Sequence, residues 1–277
     1  MRHHIRSFLF APASREDVCI KAMHAGADAV VLDLEDSVPP SLKTTARQTA
    51  AALLDQHPAW VRINEPMGPD AAADLDMLAH KTIGVRVPKV ETPEAAEWVV
   101  ARAAGVPVAC AIESARGLYA AHEIASVTGV ALLTLGGVDL RRDLRADPGS
   151  ATFDHAKAQL VIASRAAGLA GPVDAVCVDL DRDQQLRHEC AAARSAGYSG
   201  KSAIHPRQLA VIHLTFGPTE SELAWARIVV SEFERSGGSP VRLPSGEFVD
   251  LPVAERARDI LRYAPGLSDP DAGPHTQ

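Results

Sequence analysis

Short apolar runs recur along this chain at intervals that leave room for one helix between each pair. They occupy residues 8–11, 29–34, 60–63, 85–90, 106–112, 130–135, 175–180 and 199–204. Near-continuous apolar runs of this length suit strands covered on both faces, as in a parallel sheet. Strand and helix alternating over eight units predict an α/β fold, a closed (β/α)8 TIM barrel. The chain has 277 residues, near the ~250 such a barrel needs. An open doubly wound sheet is the alternative, because alternation alone does not prove closure. The run at 199–204 is polar at its start and is the weakest strand.

Helix signals support this segmentation. Ser14-Arg15-Glu16-Asp17 has the form of a capping box, with Asp17 in place of the usual Glu. Thr92-Pro93-Glu94 sets a cap residue before a first-turn proline. Gly26, Gly105, Gly129 and Gly197 each fall shortly before a strand, where helix C-cap glycines belong. The predicted organisation is a barrel over 1–216, a C-terminal helical extension or lid over 217–263, and a loose tail over 264–277. Within the extension, a helix over 220–236 is broken by a Gly/Pro/Ser-rich stretch at 237–246, and a short helix follows at 253–263.

The formal net charge is −7, which offers nucleic acid no general attraction. No apolar stretch reaches the ~18 residues of a membrane helix, and the run at 8–11 ends at Pro12, too short for a signal-peptide core. Cys19, Cys110, Cys177 and Cys190 are far apart, without CxxC spacing. Cys110 and Cys177 lie inside apolar runs and read as small buried hydrophobes, and the pattern suits a reducing cytoplasm.

In a β/α barrel the reactive groups lie at the C-terminal ends of the strands. Those ends carry Asp33, Glu35 and Asp36, then Arg62 and Asn64, then Lys89, Glu113, Asp139 and His205. Glu113 and Asp139 follow adjacent strands and form a pair suited to a hard cation; Mg²⁺ takes one or two carboxylates and keeps places for water and substrate. They could equally be helix caps or ion-pair partners. Gly136-Gly137 would let a ligand approach the backbone beside Asp139. Arg62 suits a substrate carboxylate or an enolate oxygen, or else an ion pair with Asp33 or Glu35. His205 reads as a strand-end histidine.

Eight segments in order carry a family resemblance: Arg6-Ser7-Phe8-Leu9-Phe10-Ala11-Pro12, Asp28 to Val38, Val61-Arg62-Ile63-Asn64, Val87-Pro88-Lys89-Val90-Glu91, Ala111-Ile112-Glu113-Ser114-Ala115, Gly136-Gly137-Val138-Asp139-Leu140, Gly200 to Pro206, and Val249-Asp250-Leu251-Pro252. With them the chain resembles the citrate lyase β-subunit-like branch of the HpcH/HpaI aldolase superfamily, akin to malyl-CoA and citramalyl-CoA lyases. The resemblance implies Mg²⁺ (or Mn²⁺) on Glu113 and Asp139, and Arg62 on the substrate carboxylate or enolate. It implies Glu35 and Asp36 as supports for the metal waters and Arg62. It implies a homotrimer in which Asp250 enters a neighbour's site. Asp36-Ser37 stands where small-aldehyde aldolases carry a histidine, which favours the acyl-CoA branch. The chain departs from the pattern at Ala13 and Arg145, where glycine is usual. Arg141, Arg142 and Arg145 read as a solvated helix face or as contacts to a CoA phosphate.

The function implied is that of a Mg-dependent carbon–carbon lyase. The substrate would be a 3-hydroxyacyl thioester such as citryl-, malyl- or citramalyl-CoA, and the products an acetyl-type thioester and a 2-oxo acid. The same constellation could serve a thioesterase or a malate-synthase-like enzyme. A phosphoenolpyruvate-type barrel enzyme would need a phosphate loop, for which Gly200-Lys201 is the candidate. Retention of Arg62, Glu113 and Asp139 argues against a non-catalytic binding paralogue.

Overall fold

The computed structural model describes residues 5–262. Eight parallel strands close in chain order: β1 Ser7–Pro12, β2 Ala29–Asp33, β3 Trp60–Arg62, β4 Gly84–Val87, β5 Val108–Ile112, β6 Val130–Leu135, β7 Val173–Asp174 and β8 Gly200–Ala203. Closure rests on β1 pairing with β8, where Ser7, Phe8 and Leu9 face Lys201, Ser202 and Ala203. That ladder excludes the open sheet.

The lower interior is filled by Phe8, Ala29, Val31, Trp60, Ala109, Leu132 and Val173. Phe8 and Trp60 meet edge to face, with centroids 5.3 Å apart, a geometry favoured by their quadrupoles. The Trp60 ring needs a glycine on the next strand, since a Cβ on Gly84 would come within 2.5 Å of it. Strands alternate faces, so Arg62, two residues on from Trp60, and its register partner Arg86, two residues on from Gly84, point to the same interior.

Strand 7 departs from expectation. The ladder uses Val173 and Asp174, paired to Thr134, Gly200 and Lys201, while 175–180 runs on without regular structure. The reason is a buried ion cluster that apolar patterning cannot register. Asp174 accepts from Lys201 Nζ at 2.8 Å and lies 3.1 Å from Lys157 Nζ. Lys201 is also 3.0 Å from Glu189. The lysine proposed for a phosphate loop is thus buried in ion pairs between strand and helix.

Thr92 caps its helix as expected, accepting from Ala95 N at 3.3 Å. The box at Ser14 does not form. Arg15 occupies the N-cap position of the helix Glu16–Met23, and its guanidinium takes up Asp17, with Nε donating at 3.1 Å. Gly26, Gly105, Gly129 and Gly197 all have positive φ. All four cysteines are free and buried. Among the described residues, no helix is long and apolar enough to cross a membrane.

The barrel unit spans Ile5–Leu214, and a second compact unit begins at Thr215. The second unit holds the helix Glu220–Arg235, an antiparallel pair β9 Val241–Arg242 and β10 Phe248–Val249, and the helix Leu251–Arg262. Its core is Ala226, Val229, Phe233, Leu243, Val249, Ala254 and Ala257. The stretch 237–246 therefore contains a strand as well as turns, with Gly237, Gly238 and Gly246 in the left-handed region. The last helix starts at Leu251 and not at 253. The tail expected at 264–277 lies outside the described residues.

Candidate functional site

The acids and bases at the strand ends form one ionic mouth. Arg62, the last residue of β3, donates from Nε to Asp33 Oδ1 at 2.6 Å and from Nη2 to Oδ2 at 2.7 Å. This is a two-point fork between adjacent strand ends. Its Nη1 lies 3.0 Å from Glu35 Oε2. Ser37 also donates to Asp33. Of the two sequence readings of Arg62, the structure shows the ion pair, and with both Asp33 and Glu35.

Glu113 follows β5 directly. Its side chain lies against Gly136, where an added Cβ would come within 2.1 Å of Glu113 Cγ. Burial pushes the Glu113 carboxyl up to about 7; Glu35 and Asp139 add to this, while Arg86 and Arg62 oppose it. Asp139 lies in the first turn of the next helix, Gly137–Leu144, and Arg142 Nη2 stands 3.2 Å from it. Glu35, Glu113 and Asp139 thus gather negative charge at one place, where a cation would relieve the repulsion. Among the described residues, no group of three or more His, Cys, Asp or Glu is arranged to hold a metal. Glu113 and Asp139 could hold a metal as a pair of carboxylates, a donor set that fits a hard ion completed by water and ligand oxygens.

Arg86 was not singled out from the sequence, and Lys89 was named there only as a strand-end charge without a role. Arg86 is the register partner of Arg62 on β4. Its guanidinium carbon stands 4.8 Å from the Phe10 ring centroid, with Arg62 at 5.1 Å. Arg86 donates to Ser202 Oγ at 3.3 Å, and among the described residues its Nε has no partner. Burial, then Arg62, pulls its pKa down to about 9. The signal was available in part: Val85-Arg86-Val87 repeats the form of Val61-Arg62-Ile63. Lys89 joins the acids directly, its ammonium donating to Glu35 Oε1 at 2.5 Å.

The other candidates fall elsewhere. Asp36 is exposed, 3.7 Å from Lys89 Nζ. His205 caps a short turn, accepting from Arg207 N at 3.1 Å. Arg141 donates to Gly137 O within its own helix, and Arg145 takes φ +51° where glycine was expected. Asp250 belongs to the C-terminal unit and caps its last helix, accepting from Val253 N at 3.2 Å. A cleft of about 740 Å³ opens beside Glu35, with Asp36, Ser37, Asn64, Met67 and Lys89 in its lining.

Residues 6–206 match the HpcH/HpaI aldolase/citrate lyase family. The chain is 33% identical to a citrate lyase subunit beta-like protein of Deinococcus radiodurans, over 94% of this chain and 97% of that one. It is 30% identical to a (3S)-malyl-CoA thioesterase of Cereibacter sphaeroides, over 96% of each. The crystal structure of the protein CitE from Mycobacterium tuberculosis, in complex with magnesium, acetoacetate and coenzyme A, superposes with a TM-score of 0.77 at 31% identity, covering 94% of this chain and 97% of that one. With the family model matching residues 6–206 and the fold a closed eight-stranded barrel, the chain belongs to the HpcH/HpaI aldolase/citrate lyase family.

Proposed function

We propose that this protein is a Mg²⁺-dependent carbon–carbon lyase acting on a 3-hydroxyacyl thioester of coenzyme A, of the citryl, malyl or citramalyl type. The observation that carries this reading is the convergence of Glu113, Asp139 and the Arg62–Asp33–Glu35 pairings on one barrel mouth. The magnesium, acetoacetate and coenzyme A bound by the Mycobacterium tuberculosis relative support it. Glu113 and Asp139 would hold the ion, whose contribution is Lewis-acid polarisation of the oxygens of a 2-oxo or hydroxy acid.

The remaining chemistry falls to the protein. Breaking the bond next to the thioester leaves negative charge on the thioester oxygen, and a fixed guanidinium stabilises charge where it develops. Arg62 is fixed, since Asp33 holds its Nε edge and Glu35 its Nη1. Its orientation therefore costs nothing at the moment of reaction. Asp36 and Glu35 would order water at the mouth. In the condensation direction a carboxylate must take a proton from the thioester methyl; Asp250, from a neighbouring subunit of a homotrimer, is the assignment we favour. We place the protein in the cytoplasm.

The thioesterase named among the relatives gives a second reading, in which water attacks the thioester carbonyl. A product assay separates the two. The lyase reading requires a 2-oxo acid and an acetyl-type thioester from the tested malyl-, citramalyl- or citryl-CoA, with loss of turnover in EDTA. Free CoA with the intact hydroxy acid would select the thioesterase. Glu113→Gln should lower metal-dependent kcat by at least about 100-fold, with little change in melting temperature. Full activity in that variant would remove the metal assignment.

A further inference from the structure

Lys89 occupies a junction that the reading above leaves without a role. It follows Pro88 just past β4, with φ +52°. The left-handed region crowds the Cβ of any L-residue, and lysine has no short polar side chain to offset that. Neighbours must hold such a residue in place, and residues held this way gather at working sites. The distortion is local, since the next residue, Val90, already donates its N–H to Ala111 O at 3.3 Å.

What the turn achieves is to set both polar groups of one residue on two acids. The Lys89 backbone N–H donates to Glu113 Oε2 at 3.2 Å. The ammonium donates to Glu35 Oε1 at 2.5 Å. Glu35 is buried and receives one cation on each oxygen, Lys89 on Oε1 and Arg62 Nη1 on Oε2 at 3.0 Å. Without Lys89, one oxygen of Glu35 would lose its cation and face the like charge of Glu113. The lysine side chain is 39% exposed and lines the cleft beside Glu35.

We propose that Lys89 is a positioning residue of this site: its left-handed backbone N–H sets the orientation of Glu113, and its ammonium holds Glu35 at the mouth. The inference rests on Glu113 being a metal ligand. Lys89 acts on the metal and the substrate through these two carboxylates.

Three variants test it, each measured by Mg²⁺ titration calorimetry, by kcat and KM, and by thermal melting. Lys89→Met keeps length and loses charge. Lys89→Arg keeps charge. Lys89→Gly accepts the positive φ freely and keeps the N–H but has no ammonium. Groups that orient metal ligands typically contribute about 10- to 100-fold to affinity or rate. Lys89→Met should lose about that much in Mg²⁺ affinity and in kcat, with a melting temperature close to wild type. Lys89→Arg should recover most of the loss. Lys89→Gly should resemble Lys89→Met, and added ethylamine should raise its rate saturably.

Mg²⁺ affinity and kcat of Lys89→Met within about twofold of wild type would overturn the proposal, as would equal losses in Lys89→Arg and Lys89→Met. If Lys89→Met fails to fold, the Arg and Gly variants decide by the same criteria. If wild type binds Mg²⁺ but cleaves none of the thioesters, the functional reading fails and calorimetry alone decides the role of Lys89. If wild type takes up no Mg²⁺, both fall.

Discussion

Arg86 carries its charge into the barrel interior with no carboxylate directly against it among the described residues. A guanidinium cannot escape by losing its proton at neutral pH, so the fold sustains a buried cation held by one serine and two aromatic rings, Phe8 and Phe10. Such a charge costs stability unless it is well partnered. It earns its place if the acids above it need it, and Glu113 is one of the groups that feel it. Arg86→Met should therefore leave the melting temperature unchanged or higher, while kcat/KM falls by about tenfold or more. A melting temperature several degrees lower with unchanged kinetics would make Arg86 purely structural. Glu113, Asp139 and Arg62 were legible as single letters because each stands at the end of an apolar run. The partners that define their chemistry were not, because Phe10, Arg86 and Ser202 come from strands far apart in sequence and meet only once the barrel closes.

At the level of elements, the chain after β8 returns to the start of β1. The helix Leu209–Phe216 brings His213 to the first residue of β1, and its Nε2 lies 2.8 Å from Ser7 Oγ. Ser7 Oγ also accepts from Asp28 N at 3.0 Å, and Asp28 is clasped by Arg6 through Nε and Nη2, each at 2.8 Å. Burial lowers the His213 pKa below its ordinary 6.5; Asp28 pulls it up and Arg6 pushes it down. Below pH 6.5 the unfolded chain thus binds the proton more readily than the folded one. Stability from this group is complete above pH 6.5 and is lost as pH falls through the folded value. Asp28 is perturbed the other way for its type: burial works against its charged form, but its bonds to Arg6 leave the pKa below 3.8. Its contribution is lost only at more acid pH, so the two windows separate. His213→Gln should flatten the decline in melting temperature just below pH 6.5 and leave the acid limb below 3.8 in place. An unchanged profile would show that His213 does not titrate in folding. Seven of the eight strands were readable from apolar runs. The seventh was displaced because a buried salt bridge, Asp174 with Lys201, fixes its register, and hydropathy scores both residues as surface. The box at Ser14 failed for a related reason: Asp17 is engaged by Arg15.

At the scale of the whole molecule, the proposed trimer builds each site from two chains. The second compact unit presents Asp250 at the start of the helix Leu251–Arg262, with Oδ1 accepting from Val253 N and Pro252 in the first turn. That geometry is what a helix cap requires, and a cap alone would account for the residue. The proposed catalytic role in a neighbouring subunit asks more: a carboxylate, not merely an acceptor. Asparagine separates the two demands, because it caps as well as aspartate but cannot take a proton. Asp250→Asn should hold the melting temperature and lose turnover, whereas Asp250→Ala should lose turnover and also about 1 kcal/mol of stability. The assembly is then tested by mixing. Glu113→Gln is the suitable partner, since it preserves the side-chain packing against Gly136, whereas removing Arg62 would leave Asp33 and Glu35 without their shared cation. In a ring where each mouth takes its Asp250 from the next chain, equal mixing of the two inactive proteins regenerates up to about a quarter of the sites with both groups intact. Recovery approaching that level after subunit exchange supports the shared site. If exchange is demonstrated by mass spectrometry and no activity returns, Asp250 either acts within its own chain or only caps its helix, and the Asn variant distinguishes those two: lost turnover assigns it to its own chain, retained turnover to the cap.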